Sequence, residues 1–275
     1  MASERTYQLA VHAWNAYHDS VAIQSNTGVA IAFFPVPFIR NGGDNTWRYV
    51  LQVVNQLVES HAPHIGVIKN LEGEVLDSEA APLSGTYVYE QTGCTLPLKF
   101  SRGPEYFTAV RAANTEGSST RSRSSRSTVN QSAFLINLIA RDTVCLVTGV
   151  HYAQCESVHI VPQSRPDIYQ ALLNIPASIP PPLFEVQFGL LLRKELHHAW
   201  DRLDFSFFVK DDDLFVHVFT GGFFEYHGKR ITLDRFHGFP EWRPDRRFLT
   251  WHYSQCVKAH IRGFSYGMVQ VRDPV

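Results

Sequence analysis

Three polar residues in the middle of the chain have types and spacings suited to chemistry at a metal ion. His159 follows a predicted apolar strand, and a neutral imidazole can accept a proton near pH 7. His197 and Asp201 are four residues apart on a predicted helix, so both side chains project from one helical face and can reach the same cation. His198 lies one step round that helix and points elsewhere, so we rank it below His197.

Two predicted strands and a helix would position these residues. The first strand ends in the His-Ile-Val-Pro run at residues 159–162, and the second begins with Gly-Leu-Leu-Leu at 189–192 and leads into the helix. Apolar runs at 205–210 and 214–219, separated by three aspartates, predict a hairpin. A helix near residues 249–257 would then close the domain.

This passage resembles the HNH nuclease domain, in the form found in many fungal proteins. The similarity is carried by Cys-Leu-Val-Thr-Gly at 145–149, the strand ending at 159–164 and the run 189–198, and it covers roughly 133–262. The resemblance implies a ββα-metal fold that hydrolyses DNA phosphodiester bonds, with His159 as the general base. It also implies that His197 and Asp201 hold one divalent ion, which is Mg²⁺, Mn²⁺ or Zn²⁺.

Two positions depart from the family pattern. Val158 stands where many HNH proteins carry an acidic or histidine metal ligand directly before the base. Phe188 stands where the family has the asparagine that orients the base, and a phenyl ring can form no such hydrogen bond. Gln187 is the candidate substitute, although in an extended segment its side chain would start from the opposite direction. Whether the site is active is therefore left open by the sequence.

Arg193 and Lys194 are the candidate substrate contacts, because they flank the predicted site and could bind phosphate. They could equally be solvated surface residues. A weaker possibility is a structural zinc site built from Cys145, Cys155 and the His252–Cys256 pair, although nothing in the spacing fixes the distance between the two pairs.

The alternative to a nuclease is an HNH scaffold that no longer cuts nucleic acid. It would act as a binding module, or as an acid/base enzyme on a small apolar molecule. Aromatic residues that cluster around the expected site would suit such a ligand, although hydrophobic core is the simpler interpretation for most of them. They are Phe184, Phe188, Trp200, Phe205 and Phe207.

Overall charge gives little support to a nucleic-acid partner. The chain has 275 residues, 44% of them hydrophobic, and a formal net charge of −1, which is not typical of a DNA-binding protein. The stretch 229–262 is locally basic, with eight Lys and Arg against three acidic residues. DNA is favoured as the partner, and a small molecule is the alternative. The sequence does not decide the oligomeric state, and a homodimer is possible.

Four dispersed cysteines do not form a disulfide scaffold, and no apolar run is long enough to span a membrane. Because we also find no secretory signal, we expect an intracellular protein of the cytoplasm or nucleus. The fold class expected is α+β. A strand-rich accessory module at 1–110 would be followed by a Ser/Arg-rich linker or loop at 111–131 and an HNH-like domain at 132–275 with a hairpin and a closing helix.

Overall fold

The computed structural model describes residues 19–59, 66–94, 98–101, 103–107, 121–220 and 222–262, with the side chains described from residue 129 onward in the first helix after the gap. The described chain is α+β, as the sequence predicts.

The N-terminal part forms one mixed sheet of four strands. These are β1 (Ser20–Ser25), β2 (Ala30–Pro35), β3 (Gly66–Lys69) and β4 (Gly85–Gln91), in the order β2-β1-β4-β3. Strand β1 runs parallel to β4 and antiparallel to β2.

Two helices belong to this part of the chain, α1 (Val36–Asn41) and α2 (Trp47–Leu57). The N-cap of α2 is Thr46, whose hydroxyl accepts a hydrogen bond from the Tyr49 amide.

The N-terminal sheet shares its apolar core with the end of the chain. Buried residues of β1, β2 and α2 pack in one cluster with Phe208, Phe219 and Val257. A buried hydrogen-bond chain crosses the same boundary, because the Tyr49 and Tyr253 hydroxyls are 2.8 Å apart and Tyr253 lies 2.8 Å from His217 Nδ1. The predicted accessory module is therefore packed directly on the C-terminal elements.

The central part begins with a long helix, α3 (Arg121–Asp142). It includes residues 121–131, which the sequence assigned to a linker, while residues 111–120 lie outside the described part of the chain. Its C-terminal half is anchored by Phe134 and Leu138, both buried against Val186 and Leu191. That anchorage holds the helix in place despite its serine-rich beginning.

Next along the chain come β5 (Cys155–His159), α4 (Pro166–Leu173), β6 (Gly189–Arg193) and α5 (Lys194–Asp201). Strands β5 and β6 pair antiparallel, with His159 opposite Gly189. Helix α5 follows β6 directly and packs on both strands.

The last part is a three-stranded antiparallel sheet and a helix. Strands β7 (Phe205–Lys210) and β8 (Asp213–Val218) form the predicted hairpin, and β9 (Arg230–Ile231) extends it. The closing helix is α6 (Arg246–His260), longer than the predicted 249–257. Among the described helices, none is both long enough and apolar enough to cross a membrane.

Candidate active site

A cavity of about 460 Å³ brings the three predicted site residues together. His159 reaches it from the end of β5, and His197 and Asp201 reach it from one face of α5. The remaining described residues that line it are Tyr106, Gln131, Glu156, Ser157, Pro162 and Gln163. None of these lining residues is Lys or Arg, and two carry carboxylates, so the cavity is an electronegative one.

His159 is held between two aromatic rings. Phe134 of α3 stacks on the imidazole with ring centroids 4.5 Å apart, and Phe184 meets it edge-on at 5.5 Å. Burial lowers the pKa of His159 to about 4, so the ring is neutral at pH 7. Its Nε2 is buried, and a hydrogen bond with the Leu183 backbone also holds the ring.

His197 lies between two carboxylates. Its Nδ1 is 2.7 Å from Glu156 Oε2, and its Nε2 is 3.3 Å from Asp201 Oδ2. The hydrogen bond with Asp201 raises the pKa of His197, helped by Glu156 and opposed by burial. Glu156 was not among the predicted residues. Its only sequence signal is its position three residues before His159 on the same strand.

The pair His197 and Asp201 fits a divalent cation. His197 Nε2 and Asp201 Oδ2 are 3.3 Å apart, and a cation would take the place of the proton between them while Nδ1–H still donates to Glu156. A carboxylate that fixes the far nitrogen of a liganding histidine is the usual support of such a site. Glu156 contacts Nδ1, the ring nitrogen that points away from Asp201, so it does not supply a third metal ligand. Among the described residues, no three His, Cys, Asp or Glu side chains form a metal-binding group.

Tyr106 joins the cavity from the part of the chain assigned to the accessory module. Its hydroxyl donates a hydrogen bond of 3.2 Å to Asp201 Oδ1, and its ring stacks on Trp251. Only 5% of Tyr106 is exposed, so this contact is an interior one. No motif surrounds Tyr106 in the sequence, and its role depends wholly on tertiary packing.

The Gln163 amide lies beside His159, with its Nε2 3.3 Å from His159 Nδ1. Gln187, the predicted substitute for the missing asparagine, instead donates to Glu185 and lines a separate groove of about 510 Å³. The structure does not bring Gln187 and His159 together. Phe188 is buried in the core, where it stacks on Phe248 with centroids 4.5 Å apart.

Arg193 and Lys194 flank the cavity without lining it. Arg193 ends β6 and lies 2.8 Å from Glu195 in an ion pair. Lys194 opens α5 and is exposed to solvent. Neither residue is among the described residues that line the cavity.

The clustered aromatic residues and the possible zinc ligands lie mostly in the core. Phe188, Trp200, Phe205 and Phe207 are fully buried core residues, and of the five clustered aromatics only Phe184 is half-buried beside His159. The four residues of the possible zinc site do not assemble. Cys145 accepts hydrogen bonds from two backbone amides, while Cys256 lies in the core near His252, and no metal-binding group forms among the described residues.

A buried ion pair holds the frame around the cavity. Arg141 at the end of α3 bonds Asp142 through two N–H groups and donates its other three to the carbonyls of Val186, Gly189 and Trp242. Asp142 in turn accepts from the Leu191 amide. Every guanidinium donor is used, which fixes the start of β6 against α3.

A family model described as HNH endonuclease matches residues 145–207. This segment is thus similar to HNH endonuclease domains, and it contains β5, β6, α5 and every described cavity residue except Tyr106 and Gln131. Comparison with curated proteins found no match, and comparison with solved structures found none.

Proposed function

We propose that this protein is a metal-dependent nuclease that hydrolyses phosphodiester bonds in DNA. The observation that carries the proposal is the meeting of His159 with the His197–Asp201 pair in one cavity, inside the segment that matches the HNH endonuclease model. His159 would be the general base, and His197 with Asp201 would hold one Mg²⁺, Mn²⁺ or Zn²⁺ ion.

The charge of the cavity supports a cation in this role. A phosphate would meet Glu156 and Asp201, with no Lys or Arg among the described lining residues, so the carboxylates would repel it. A bound divalent ion would cancel the charge of these two carboxylates and stabilise the negative charge that develops on the phosphate oxygens. Glu156 would support the ion indirectly, because it fixes the His197 ring through Nδ1.

His159 has the protonation state that a base needs. Its pKa of about 4 keeps the ring neutral at pH 7, so one of its two nitrogens carries no proton. A water molecule bonded to that nitrogen would lose its proton to the ring as its oxygen bonds to phosphorus, and the bond from phosphorus to the leaving oxygen would break. The rings of Phe134 and Phe184 limit how far the imidazole can turn.

Contacts to the rest of a nucleic acid would come from outside the cavity. Lys194 is exposed at the start of α5, and Arg193 precedes it at the end of β6. We assign them contacts to neighbouring phosphates, which position a strand without reading its bases.

Plasmid cleavage tests the proposal. Purified protein is incubated with supercoiled DNA and Mg²⁺, Mn²⁺ or Zn²⁺, beside His159→Asn, His197→Asn and His198→Asn. His198 is an exposed neighbour of His197 that does not line the cavity, so it is the matched control. We expect metal-dependent nicking that falls at least about 100-fold in the first two variants, the size of a lost acid/base group, and stays unchanged in the third.

Absence of cleavage with every metal, in protein shown to be folded, would overturn the nuclease proposal. The alternative would then be a repurposed scaffold that binds a partner or a small molecule. The aromatic-lined pocket suggested for such a molecule has little support, because four of the five clustered aromatic residues are buried in the core.

A further inference from the structure

Residues 103–107 form a short segment that belongs to no helix or strand and yet reaches the candidate active site. Its Tyr106 lines the cavity, and the Tyr106 hydroxyl donates to Asp201 Oδ1 at 3.2 Å. The other oxygen of the same carboxylate, Oδ2, faces His197 Nε2 at 3.3 Å. The hydrogen bond on Oδ1 therefore fixes how the carboxylate is turned and which oxygen it presents to His197.

The backbone of Glu105, the residue before Tyr106, is bonded on both sides. Its amide donates to Gln255 Oε1 of α6 at 2.8 Å, and its carbonyl accepts from Arg165 Nη1. That carbonyl belongs to the peptide group that joins Glu105 to Tyr106. Because the segment has no backbone ladder of its own, these two side chains decide where Tyr106 lies.

Arg165 stands in the turn after β5 and directly before α4. Only 3% of the residue is exposed, and a buried guanidinium needs a counter-charge. Asp167 supplies it, since its carboxylate accepts from Nε at 2.9 Å and from Nη2 at 2.7 Å. Nη1 is left over, and it bonds the Glu105 carbonyl, while the Glu105 carboxylate lies 3.4 Å from Nη2. The contact with the Glu105 backbone is therefore additional to the neutralisation of Arg165.

We propose that Arg165 is a positioning residue for the metal site, because it holds residues 103–107 so that Tyr106 reaches Asp201. The contacts run from Arg165 to the Glu105 carbonyl, along the backbone to Tyr106, and from its hydroxyl to Asp201. Arg165 is not among the described residues that line the cavity, so it acts on the site through Tyr106. This inference rests on the proposed function, in which Asp201 holds the cation.

Arg165 also joins two parts of the chain. Arg165 and Asp201 lie within 145–207, the segment that matches the HNH endonuclease model, whereas Glu105 and Tyr106 precede it. The N-terminal part of the chain thus contributes a residue to the cavity, and Arg165 is the HNH-like segment's contact with the backbone next to that residue.

Calorimetric titration with Mn²⁺ tests the proposal in the unaltered chain, Arg165→Met, Tyr106→Phe and the double variant. Arg247→Met is the matched control. Arg247 also bonds both oxygens of an aspartate two residues away, Asp245, and donates Nη1 to a distant carbonyl, that of Leu172. It lines the separate groove and is not among the described residues of the cavity.

We expect Arg165→Met to bind Mn²⁺ at least about 10-fold more weakly, the usual size of a lost supporting contact, and Arg247→Met to bind it as the unaltered chain does. In the Tyr106→Phe chain, Arg165→Met should lower the affinity no further, because the hydroxyl that Arg165 positions is already gone. An unchanged affinity in Arg165→Met would overturn the proposal. An equal fall in both backgrounds would overturn it too, since that is the result of a structural role alone.

A measurement without metal separates this inference from the nuclease proposal. Tyrosine is replaced by 3-fluorotyrosine, and the ¹⁹F NMR signal of Tyr106 is assigned by its loss in Tyr106→Phe. We expect this signal to move in Arg165→Met, as the hydroxyl leaves Asp201, and to stay in place in Arg247→Met. If the unaltered chain binds no Mn²⁺, the metal site of the proposed function fails, and the ¹⁹F signal decides whether Arg165 positions Tyr106. A signal that stays in place in Arg165→Met overturns the inference, whether or not Mn²⁺ binds.

Circular dichroism checks that each variant is folded. Should Arg165→Met fail to fold, Arg165→Lys takes its place, because it keeps the positive charge beside Asp167 but lacks the planar fork that bonds several partners. Arg165→Lys should show the same two changes in smaller degree. Unchanged Mn²⁺ affinity and an unchanged ¹⁹F signal in this variant would overturn the proposal.

Discussion

The guanidinium of Arg141 and the carboxylate of Asp142, neighbours in the sequence, form two hydrogen bonds of 2.6 and 2.8 Å with both side chains fully buried. The pair ties the end of α3 to the first residue of β6 through the Gly189 carbonyl. Since Gly189 lies opposite His159, the same pair fixes the sheet that carries the candidate base.

Removing one partner of this pair should destabilise the fold strongly. Arg141→Met leaves Asp142 as an uncompensated buried charge and frees three backbone carbonyls, so we expect a loss of about 3–5 kcal/mol in the free energy of unfolding. Urea denaturation followed by circular dichroism measures it. Arg246→Met is the control, because Arg246 and Asp212 pair at 2.6 Å on the exposed surface, where a loss of about 0–1 kcal/mol is expected. Equal losses in both variants would contradict the assignment of Arg141.

Gly189 should tolerate no side chain while Phe134 is in place. A Cβ on Gly189 would lie 2.2 Å from Phe134 Cζ, so Gly189→Ala must push the ring that stacks on His159. We expect a loss of about 1–3 kcal/mol from overpacking.

A double-mutant cycle checks the cause. The smaller side chain of Phe134→Leu should make Gly189→Ala less costly in the double variant than alone, with a coupling above about 0.5 kcal/mol. Additive losses would show that the two positions do not compete for the same space.

Tyr106→Phe should weaken metal binding without disturbing the packing. The phenyl ring keeps its contact with Trp251, but Asp201 loses the hydroxyl that donates to it at 3.2 Å. Loss of such a supporting hydrogen bond lowers metal affinity by about 10-fold or more. Calorimetric titration with Mn²⁺ measures the change, and Tyr87→Phe is the control, because the Tyr87 hydroxyl donates to Leu83 in the exposed part of the N-terminal sheet. Equal affinities in Tyr106→Phe and the unaltered chain would remove Tyr106 from the site.

Site residues that are related by spacing along one helix or strand could be predicted from the sequence. Those that meet only through tertiary packing could not. His197 and Asp201 were predicted from their helical spacing, and His159 from its place after an apolar strand. The structure places all three in one cavity. Glu156 and Gln163 flank His159 in the sequence, but which of their side chains turn inward depends on the pairing of β5 and the turn after it.

Two of the sequence-based predictions differ from what the structure shows. The serine- and arginine-rich run predicted a linker, yet residues 121–131 are helical, because Arg favours helix and the buried Phe134 and Leu138 anchor the same helix further along. Gln187 is adjacent to the missing asparagine in the sequence, but it lies in a 3₁₀ turn at Val186–Phe188 that directs its amide to Glu185. Neither outcome can be derived from residue types alone.

Acid should unfold this protein through two histidines that the core keeps neutral. Burial lowers the pKa of His252 to about 3, and it holds the pKa of His217 well below its usual range. In the unfolded chain both titrate near pH 6.5, so the unfolded state binds two protons that the folded state excludes. The stability they provide is present above pH 6.5 and is lost as the pH falls toward their folded pKa values. Between pH 6.5 and 5 they should together cost about 3 kcal/mol.

Urea unfolding measured across this pH range tests the assignment. His252→Gln should flatten the dependence of the unfolding free energy on pH by about 1.4 kcal/mol per pH unit near pH 5, because one excluded proton is removed. The exposed His198→Asn should leave the slope unchanged. Should His252→Gln fold poorly, an NMR titration of the unaltered chain decides instead, since protonation of His252 above pH 5 in the folded state would contradict its exclusion from water by Trp200, which stacks on its ring at 3.5 Å.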